Sequence, residues 1–306
     1  MQRTLRARLA RRIRLTLVAA ALAGGCARTA RVHAPADAPK ATPTRTVVLV
    51  HGMFVTPASW GPWKAYFEAK GYTVLAPAWP EHEGSPAEAR AAHPDERLAA
   101  LDLDDVVDHY RAILDGLDDK PILIGHSMGG LVVQRLLAEG RASAVVAIDA
   151  APPKGVFTFH HAFLKSNGRI LRGSLDQPLD MDVDRFAYMF TNTLPAAEQR
   201  ALWETYARPE SRRVGRSAIK AQGKVDFRAK RAPLLLIGGG EDHAVPPVIG
   251  RKTWRRYRKA DSITEYHEFA GVDHWLIGGP RWQEIADYTS AWLEAQGASP
   301  APKASP

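Results

Sequence analysis

The chain has 306 residues, of which 45% are hydrophobic and 24% are charged, a composition typical of a globular protein with one large core. Its formal net charge is +8, but six arginines and no acid lie in residues 1–26, so the rest of the chain holds 35 basic and 33 acidic side chains. A nucleic-acid partner would need a basic stripe on the folded domain, and this balance argues against one.

The first segment, residues 1–26, has the pattern of a secretory signal. Residues 1–14 are rich in arginine, and the apolar stretch 15–25 is shorter than the roughly 20 residues that span a bilayer. Cys26, the one cysteine of the chain, follows the letters LAGG, which resemble a bacterial lipoprotein lipobox, although Ala23 stands where that pattern prefers leucine.

This pattern predicts a protein exported from a bacterial cytoplasm. A lipid on Cys26 would make it a membrane-anchored or periplasmic lipoprotein, and that lipid would be its one membrane contact. The alternative is an ordinary signal peptide with a stray cysteine and a secreted product. The sequence leaves the oligomeric state open.

Two end segments lack periodicity. Residues 27–44 are mostly Ala, Pro, Thr and Arg, and they predict a flexible linker. Residues 298–306 have a similar composition and predict a disordered tail. A single folded domain is therefore expected over residues 45–297.

Apolar runs and amphipathic stretches alternate through this domain. The apolar runs predict strands at residues 46–50, 72–76, 121–124, 144–148, 233–237 and 264–269. The amphipathic stretches predict helices at residues 60–70, 101–117, 128–139, 247–257 and 281–295. Unbroken apolar strands that alternate with helices indicate an α/β fold with a mostly parallel, doubly wound sheet covered on both faces.

Residues 152–230 break this alternation. They are helix-like and carry eight aromatic side chains from Phe157 to Tyr206. A long helical insert at strand ends is typical of lids, so we interpret this segment as a helical cap inserted after the strand that ends at Ile148. The alternative is that these are further helices of the core.

The letters GHSMG at residues 125–129 fit the G-x-S-x-G nucleophile elbow. The preceding run PILI reads as a strand and the following LVVQRLLAEG as a helix, which is the context that the motif requires. Ser127 is therefore the predicted nucleophile. The alternative is a glycine-rich turn with a passive serine.

On these residues the sequence resembles the α/β-hydrolase superfamily over roughly residues 45–296. The resemblance is to its esterases and lipases, and also to its cofactor-free haloperoxidases. The segment HGMF at residues 51–54 is similar to the oxyanion loop of that family. The resemblance implies that the backbone N–H groups of Met53 and Met128 form the oxyanion hole, with Phe54 a weaker candidate for the first donor.

The base and the acid of the triad are assigned on two later loops. His274, in GVDHW just past the last predicted strand, is the expected base. Asp242 precedes HAVP and resembles the acid loop of the family, and the order Ser, Asp, His is the order of this fold. Glu241 and Asp149 are alternative acids. Asp273 stands where the family usually has a small residue.

Other ligand-binding patterns are weak. No glycine-rich phosphate loop follows the first predicted strand, so a dinucleotide is not expected. His160 and His161 could form a metal pair, but no further ligand at suitable spacing is evident. We therefore expect neither a cofactor nor a metal.

The function expected from these residues is hydrolysis of carboxylic esters through an acyl-enzyme on Ser127. The aromatic cap and three tryptophans before it suggest an apolar substrate, although core packing is an equal explanation for the tryptophans. Two alternatives use the same triad: cofactor-free perhydrolase or haloperoxidase chemistry, and cleavage of amide or C–C bonds. A third is a non-catalytic binding protein on this fold.

Overall fold

A seven-stranded sheet forms the centre of the molecule. The structure, a computed structural model, describes residues 28–300, so the predicted signal, Cys26 and the last six residues lie outside the described part. The strand order is β1-β7-β6-β5-β4-β2-β3, with every pair parallel except β1 with β7. The strands are β1 (Arg28–His33), β2 (Thr46–Val50), β3 (Thr73–Leu75), β4 (Ile122–His126), β5 (Ala144–Ile148), β6 (Leu234–Gly239) and β7 (Thr264–Phe269).

Eleven α-helices are assigned in the described residues. They are α1 (Gly61–Ala69), α2 (Pro86–Ala91), α3 (Glu96–Ala100), α4 (Leu103–Asp115), α5 (Met128–Ala138), α6 (His161–Leu171), α7 (Val183–Met189), α8 (Ala196–Tyr206), α9 (Arg212–Ser217), α10 (Pro247–Tyr257) and α11 (Trp282–Gln296). Two short 3₁₀ turns lie at Pro57–Trp60 and Ala221–Gly223. None of the described helices is long and apolar enough to cross a membrane.

Each central strand buries both of its faces. In β2, Val48 and Val50 pack into the apolar layer on one side of the sheet, while Val47 and Leu49 pack into the layer on the other side. Successive side chains of a strand point to opposite faces, so a strand covered on both sides must be apolar throughout. The predicted fold class, a mostly parallel sheet of the α/β-hydrolase type, is confirmed.

The predicted cap segment, residues 152–230, contains α6, α7, α8 and α9. It leaves the sheet at the carboxyl end of β5, on the side of the predicted catalytic loops, and the chain then crosses over to the amino end of the parallel strand β6. An isolated bridge between Leu179 and Glu210 ties its two halves together.

The N-terminal segment differs from the expected linker. Within residues 27–44, Arg28–His33 forms the antiparallel edge strand β1 against β7. An edge strand needs only one backbone ladder and little burial, and Val32 is indeed exposed, so its polar sequence gave no apolar run to detect. The predicted tail also begins inside the fold, because Ala298 is buried and its carbonyl accepts a hydrogen bond from the Tyr72 hydroxyl (3.0 Å).

Candidate active site

Ser127 occupies a sharp turn between β4 and α5. Its φ of 56° and ψ of −119° lie outside the ordinary regions for a residue with a side chain, a strain that costs about 1–3 kcal/mol. The Ser127 N–H donates to the carbonyl of Ile148 (2.9 Å), which fixes the turn on the neighbouring strand. A Cβ at Gly129 would overlap the carbonyl oxygens of Val50 and His51, so only glycine fits there. The strained geometry is therefore built into the elbow.

The loop after β2 lies directly against this serine. A Cβ on Gly52 would sit 2.8 Å from the Ser127 Cβ, so the loop backbone can approach the nucleophile only because residue 52 is glycine. Met53 and Met128 line the same cavity as Ser127. The amide of Phe54, the weaker donor candidate, instead donates to the Glu210 carboxylate (3.2 Å), which leaves Met53 as the better first donor.

His274 and Asp242 form a buried hydrogen-bonded pair. The Nδ1 of His274 lies 2.7 Å from Oδ2 of Asp242, and both side chains are almost fully buried. The other carboxylate oxygen of Asp242 accepts from the amides of Ala244 (2.7 Å) and Val245 (2.8 Å). With Asp242 as the acceptor, Nδ1 of His274 carries a proton in this bond. The Nε2 atom, which has no hydrogen-bond partner among the described residues, is then free to accept a proton, and His274 lines the cavity beside Ser127.

Asp149, the alternative acid, lies behind this pair. Its Oδ2 is 3.8 Å from Nδ1 of His274, which is too far for a hydrogen bond, while its Oδ1 accepts from the Gly239 amide (2.7 Å). Burial and the nearby charge of Asp242 raise the pKa of Asp149 well above its ordinary value. The geometry therefore favours Asp242 as the partner of the histidine. For Glu241, the other alternative acid, the described residues show no contact between its side chain and His274.

Below His274 lies His126. The two rings are 4.6 Å apart, and Nε2 of His126 lies 2.9 Å from the carbonyl of His274. Burial, and then the neighbouring His274, lower the pKa of His126 well below its ordinary value. A neutral His126 that donates to this carbonyl supports the loop from beneath.

One group of metal-capable side chains occurs in the described part of the chain, formed by His126, Asp149 and His274. However, Nδ1 of His274 is already bonded to Asp242, and Nε2 of His126 is already bonded to a backbone carbonyl. The three groups are therefore better explained as a hydrogen-bonding network around the imidazole. His160 and His161, the pair considered from the sequence, are exposed at the start of α6.

The cap is bonded to the loops that carry the acid and the base. Asn167 of α6 donates to the carbonyl of Ala244 (2.9 Å), two residues after Asp242. The carboxylate of Asp273 accepts from both the amide (3.0 Å) and the hydroxyl (2.7 Å) of Thr193. Asp273, which departs from the family pattern, thus joins the histidine loop to the cap.

The cap also holds the oxyanion loop, through Glu210. This fully buried carboxylate accepts from the amides of Phe54 (3.2 Å) and Ser211 (2.6 Å) and lies 2.9 Å from Nε2 of His82. Burial alone would raise the pKa of Glu210, but His82 and these hydrogen bonds lower it below its ordinary value. Two residues before Glu210, the amide of Arg208 donates to the Phe54 carbonyl (3.0 Å). Sequence reasoning missed Glu210, because a single acid in the cap segment carries no motif.

The cavity above Ser127 is enclosed mainly by apolar side chains. The cap contributes Phe163, Ile170, Leu171, Met189, Phe190 and Ile219. Apart from Ser127 and His274, the polar side chain in its wall is that of Asn167. An apolar chamber with a few convergent polar groups at one end is typical of a site for a small organic substrate.

Comparisons with known proteins agree with this arrangement. The alpha/beta hydrolase family profile matches residues 47–288. No curated protein matches the chain. Among solved structures, the chain is similar to the monoacylglycerol lipase of Paleococcus ferrophilus, with a TM-score of 0.62 and 25% identity over 88% of this chain and 98% of that one.

Two further structures share the fold at lower identity. A pyrethroid hydrolase from Sphingobium faniae JZ-2 has a TM-score of 0.60 and 16% identity, and covers 82% of this chain and 98% of its own. Polyneuridine aldehyde esterase has a TM-score of 0.58 and 19% identity, with coverages of 81% and 99%. Because the family profile spans most of the sequence and the sheet has the matching topology, the chain belongs to the alpha/beta hydrolase family.

Proposed function

We propose that this protein hydrolyses carboxylic esters through an acyl-enzyme on Ser127, with His274 as base and Asp242 as its acid. The observation that carries the proposal is the 2.7 Å bond from Nδ1 of His274 to Asp242, in a ring whose Nε2 has no described partner and which shares a cavity with the strained serine. A serine hydroxyl is a weak nucleophile until a neighbouring base removes its proton, and this arrangement supplies that base.

The proposed cycle has two halves. Ser127 Oγ attacks the ester carbonyl while His274 Nε2 takes its proton, and the tetrahedral oxyanion accepts from the amides of Met53 and Met128. Collapse breaks the bond to the alcohol, which leaves with the proton from His274. Water then attacks the acyl-enzyme by the same route, and the carboxylic acid is released as Ser127 regains its proton.

The acid of the triad acts without changing its own protonation. Asp242 holds the tautomer of His274 and stabilises the imidazolium that forms in each half-reaction. Burial and the charge of Asp242 raise the pKa of Asp149, which disfavours a second negative charge beside the pair. One ionised carboxylate beside the ring is the charge balance that the cycle requires.

The substrate that this cavity favours is an uncharged ester with an apolar acyl or aryl group. Its walls carry no Asp, Glu, Lys or Arg side chain. The structural neighbours include a lipase, an esterase and a hydrolase of pyrethroids, which supports ester cleavage as the reaction. The chain is accordingly a hydrolase that acts on ester bonds.

We also propose that the protein works outside the cytoplasmic membrane. The support is the arginine-rich, apolar start of the sequence and the cysteine that follows it. Radiolabelled palmitate incorporated by wild type and absent from Cys26→Ser would establish the lipid. A mature protein that begins at another residue and carries no lipid would contradict lipidation of Cys26.

The test of the reaction is a series of p-nitrophenyl esters of increasing acyl length, with wild type and Ser127→Ala. We expect hydrolysis by wild type without added peroxide, and a fall in kcat of about 10⁴-fold or more in the variant. A fluorophosphonate probe should label wild type at Ser127 and leave the variant unlabelled. Equal hydrolysis by both proteins would refute the proposal, and halogenation that needs peroxide would favour the perhydrolase alternative.

A further inference from the structure

The outer surface of the cap carries exposed apolar side chains beside the cavity. Six large hydrophobic side chains are exposed among residues 30–300, and four of them fall within a span of fifteen residues: Phe157, Phe159, Leu164 and Leu171, which we name the cap patch. Phe159 is 91% exposed and Phe157 is 65% exposed. Leu171 also lines the cavity, so the cap patch adjoins the wall of the site. Clustered exposed apolar groups of this kind usually mark a contact surface.

The segment that carries the cap patch is rich in cations. Residues 150–175 contain four Lys or Arg side chains and no Asp or Glu. Lys165 and Arg172 share an open groove with Leu164. From the neighbouring helix α10, Lys252 donates to the carbonyl of Phe157 (2.6 Å). The fourth cation of the segment, Arg169, is paired with Asp180 and Asp182, so the surface keeps Lys154, Lys165, Lys252 and Arg172 as its unneutralised charges.

The path of the chain points to the same side of the molecule. Strand β1 runs antiparallel to β7, and Arg28 lies opposite Glu268 near the carboxyl end of β7. The described chain therefore begins at the carboxyl end of the parallel strands, which is the end of the sheet that carries the proposed catalytic loops and the cap. Cys26 precedes Arg28 by two residues, which span at most about 7 Å. A lipid on that cysteine would hold this end of the sheet, rather than the opposite end, against a bilayer.

We propose that the cap patch docks on an anionic lipid membrane, with the opening of the cavity turned toward it. Phe157 and Phe159 would enter the boundary between headgroups and acyl chains, while the surrounding lysines and Arg172 contact lipid phosphates. This combination of an apolar face with cations beside it is the physical signature of interfacial binding.

The test measures vesicle binding of residues 27–306, a chain that carries no lipid and contains every residue that the structure describes. Cosedimentation is compared between vesicles of phosphatidylcholine and vesicles that also contain phosphatidylglycerol. We expect binding to the anionic vesicles, and a loss of about tenfold in the partition coefficient for Phe157→Ser/Phe159→Ser. The matched control is Val32→Ser, an exposed apolar residue on β1, and it should bind as wild type does.

Three results would overturn the proposal: no binding to either kind of vesicle, equal binding by the double variant, or equal binding to zwitterionic vesicles. Self-association of wild type that disappears in the double variant would instead make the cap patch an interface between two copies. Because Phe157 and Phe159 lie outside the triad, hydrolysis of a soluble ester by the double variant should match wild type. Vesicle binding by Ser127→Ala should also match it, so failure of docking and failure of the ester-hydrolase proposal are distinguishable.

Discussion

The sheet edge and the cap position the same site by different physical means. On the sheet side, the geometry of Ser127 is set by backbone contacts, because its amide is bonded to β5 and the glycines around it are packed against neighbouring carbonyls. On the cap side, a few buried side chains reach the catalytic loops, chiefly Glu210, Asp273 and Asn167. The cap is therefore part of the site, since it is bonded to all three loops that carry the proposed oxyanion donor, acid and base.

This difference implies different sensitivities to substitution. Under the proposed mechanism, Ser127 and His274 on the sheet side contact the reacting atoms, so removing either should abolish turnover with little effect on substrate binding. Groups on the cap side hold the backbone of the loops in place. Removing them should therefore lower the free energy of unfolding and loosen the positions of the catalytic groups. A misplacement of about 1 Å in a catalytic group can cost roughly 10²-fold in rate.

The sharpest contrast on the sheet side is between the two buried acids. Asp242→Asn should lower kcat by about 10⁴-fold, because the amide cannot hold the same tautomer of His274 or stabilise the imidazolium. Asp149→Asn should lower kcat by less than about tenfold, because Asp149 lies 3.8 Å from the ring and makes no hydrogen bond to it. Steady-state kinetics on a soluble ester measures both effects. The reverse order of the two losses would make Asp149 the acid of the triad.

On the cap side, the test is Glu210. Glu210→Ala would leave the amide of Phe54 and the ring of His82 without their partner, so the oxyanion loop would lose its anchor. We expect kcat to fall about 10- to 100-fold while KM stays within about twofold of wild type. The free energy of unfolding should fall by about 3–5 kcal/mol, as is typical when one member of a buried pair is removed.

Two further variants separate positioning by Glu210 from a general loss of stability. Glu210→Gln keeps an oxygen that can accept from Phe54, so it should recover most of the lost kcat. Glu198→Gln, an exposed carboxylate elsewhere in the cap, should leave both kcat and stability near wild type. If kcat of Glu210→Ala matched wild type at a temperature where the variant is folded, the oxyanion loop would not depend on the cap.

The same division explains what the sequence could predict. Three predicted strands, residues 46–50, 144–148 and 264–269, agree with the structure residue for residue, because strands buried on both faces must be apolar throughout. The elbow at Ser127 was detectable because close backbone packing demands glycine at fixed spacing. The other proposed site residues were predicted from the resemblance of the loops at Met53, Asp242 and His274 to the family pattern.

The features that the sequence did not predict depend on contacts that leave no local pattern in it. Strand β1 needs only a backbone ladder at the sheet edge, so Arg28–His33 resembled a linker. The bond from Glu210 to Phe54 joins residues 156 positions apart, and one acid in a helical segment does not reveal its partner. Asp273 was noticed as a departure from the family pattern, but its bonds to Thr193 depend on how the cap folds back over the loop.

The smallest predicted effect concerns the pH dependence of stability at Asp149. Its folded-state pKa is raised by burial and by Asp242, so the folded protein binds a proton that the unfolded chain releases at lower pH. This acid therefore destabilises the fold progressively as pH rises above its ordinary range toward the raised value. Asp149→Asn removes that titration and keeps an oxygen for the Gly239 amide. Relative to wild type, the variant should gain thermal stability as pH rises from acid to neutral, as measured by Tm across that range.

The exposed carboxylate of Asp108 provides the matched control, since Asp108→Asn removes an acid without removing a buried one. Its Tm should change little relative to wild type at any pH, because exposed ion pairs contribute at most about 1 kcal/mol. A Tm difference between Asp149→Asn and wild type that is the same at all pH values would mean that Asp149 is ionised in the folded protein. In that case two carboxylate charges would face His274, and the assignment of Asp242 as the one charged partner would have to be revised.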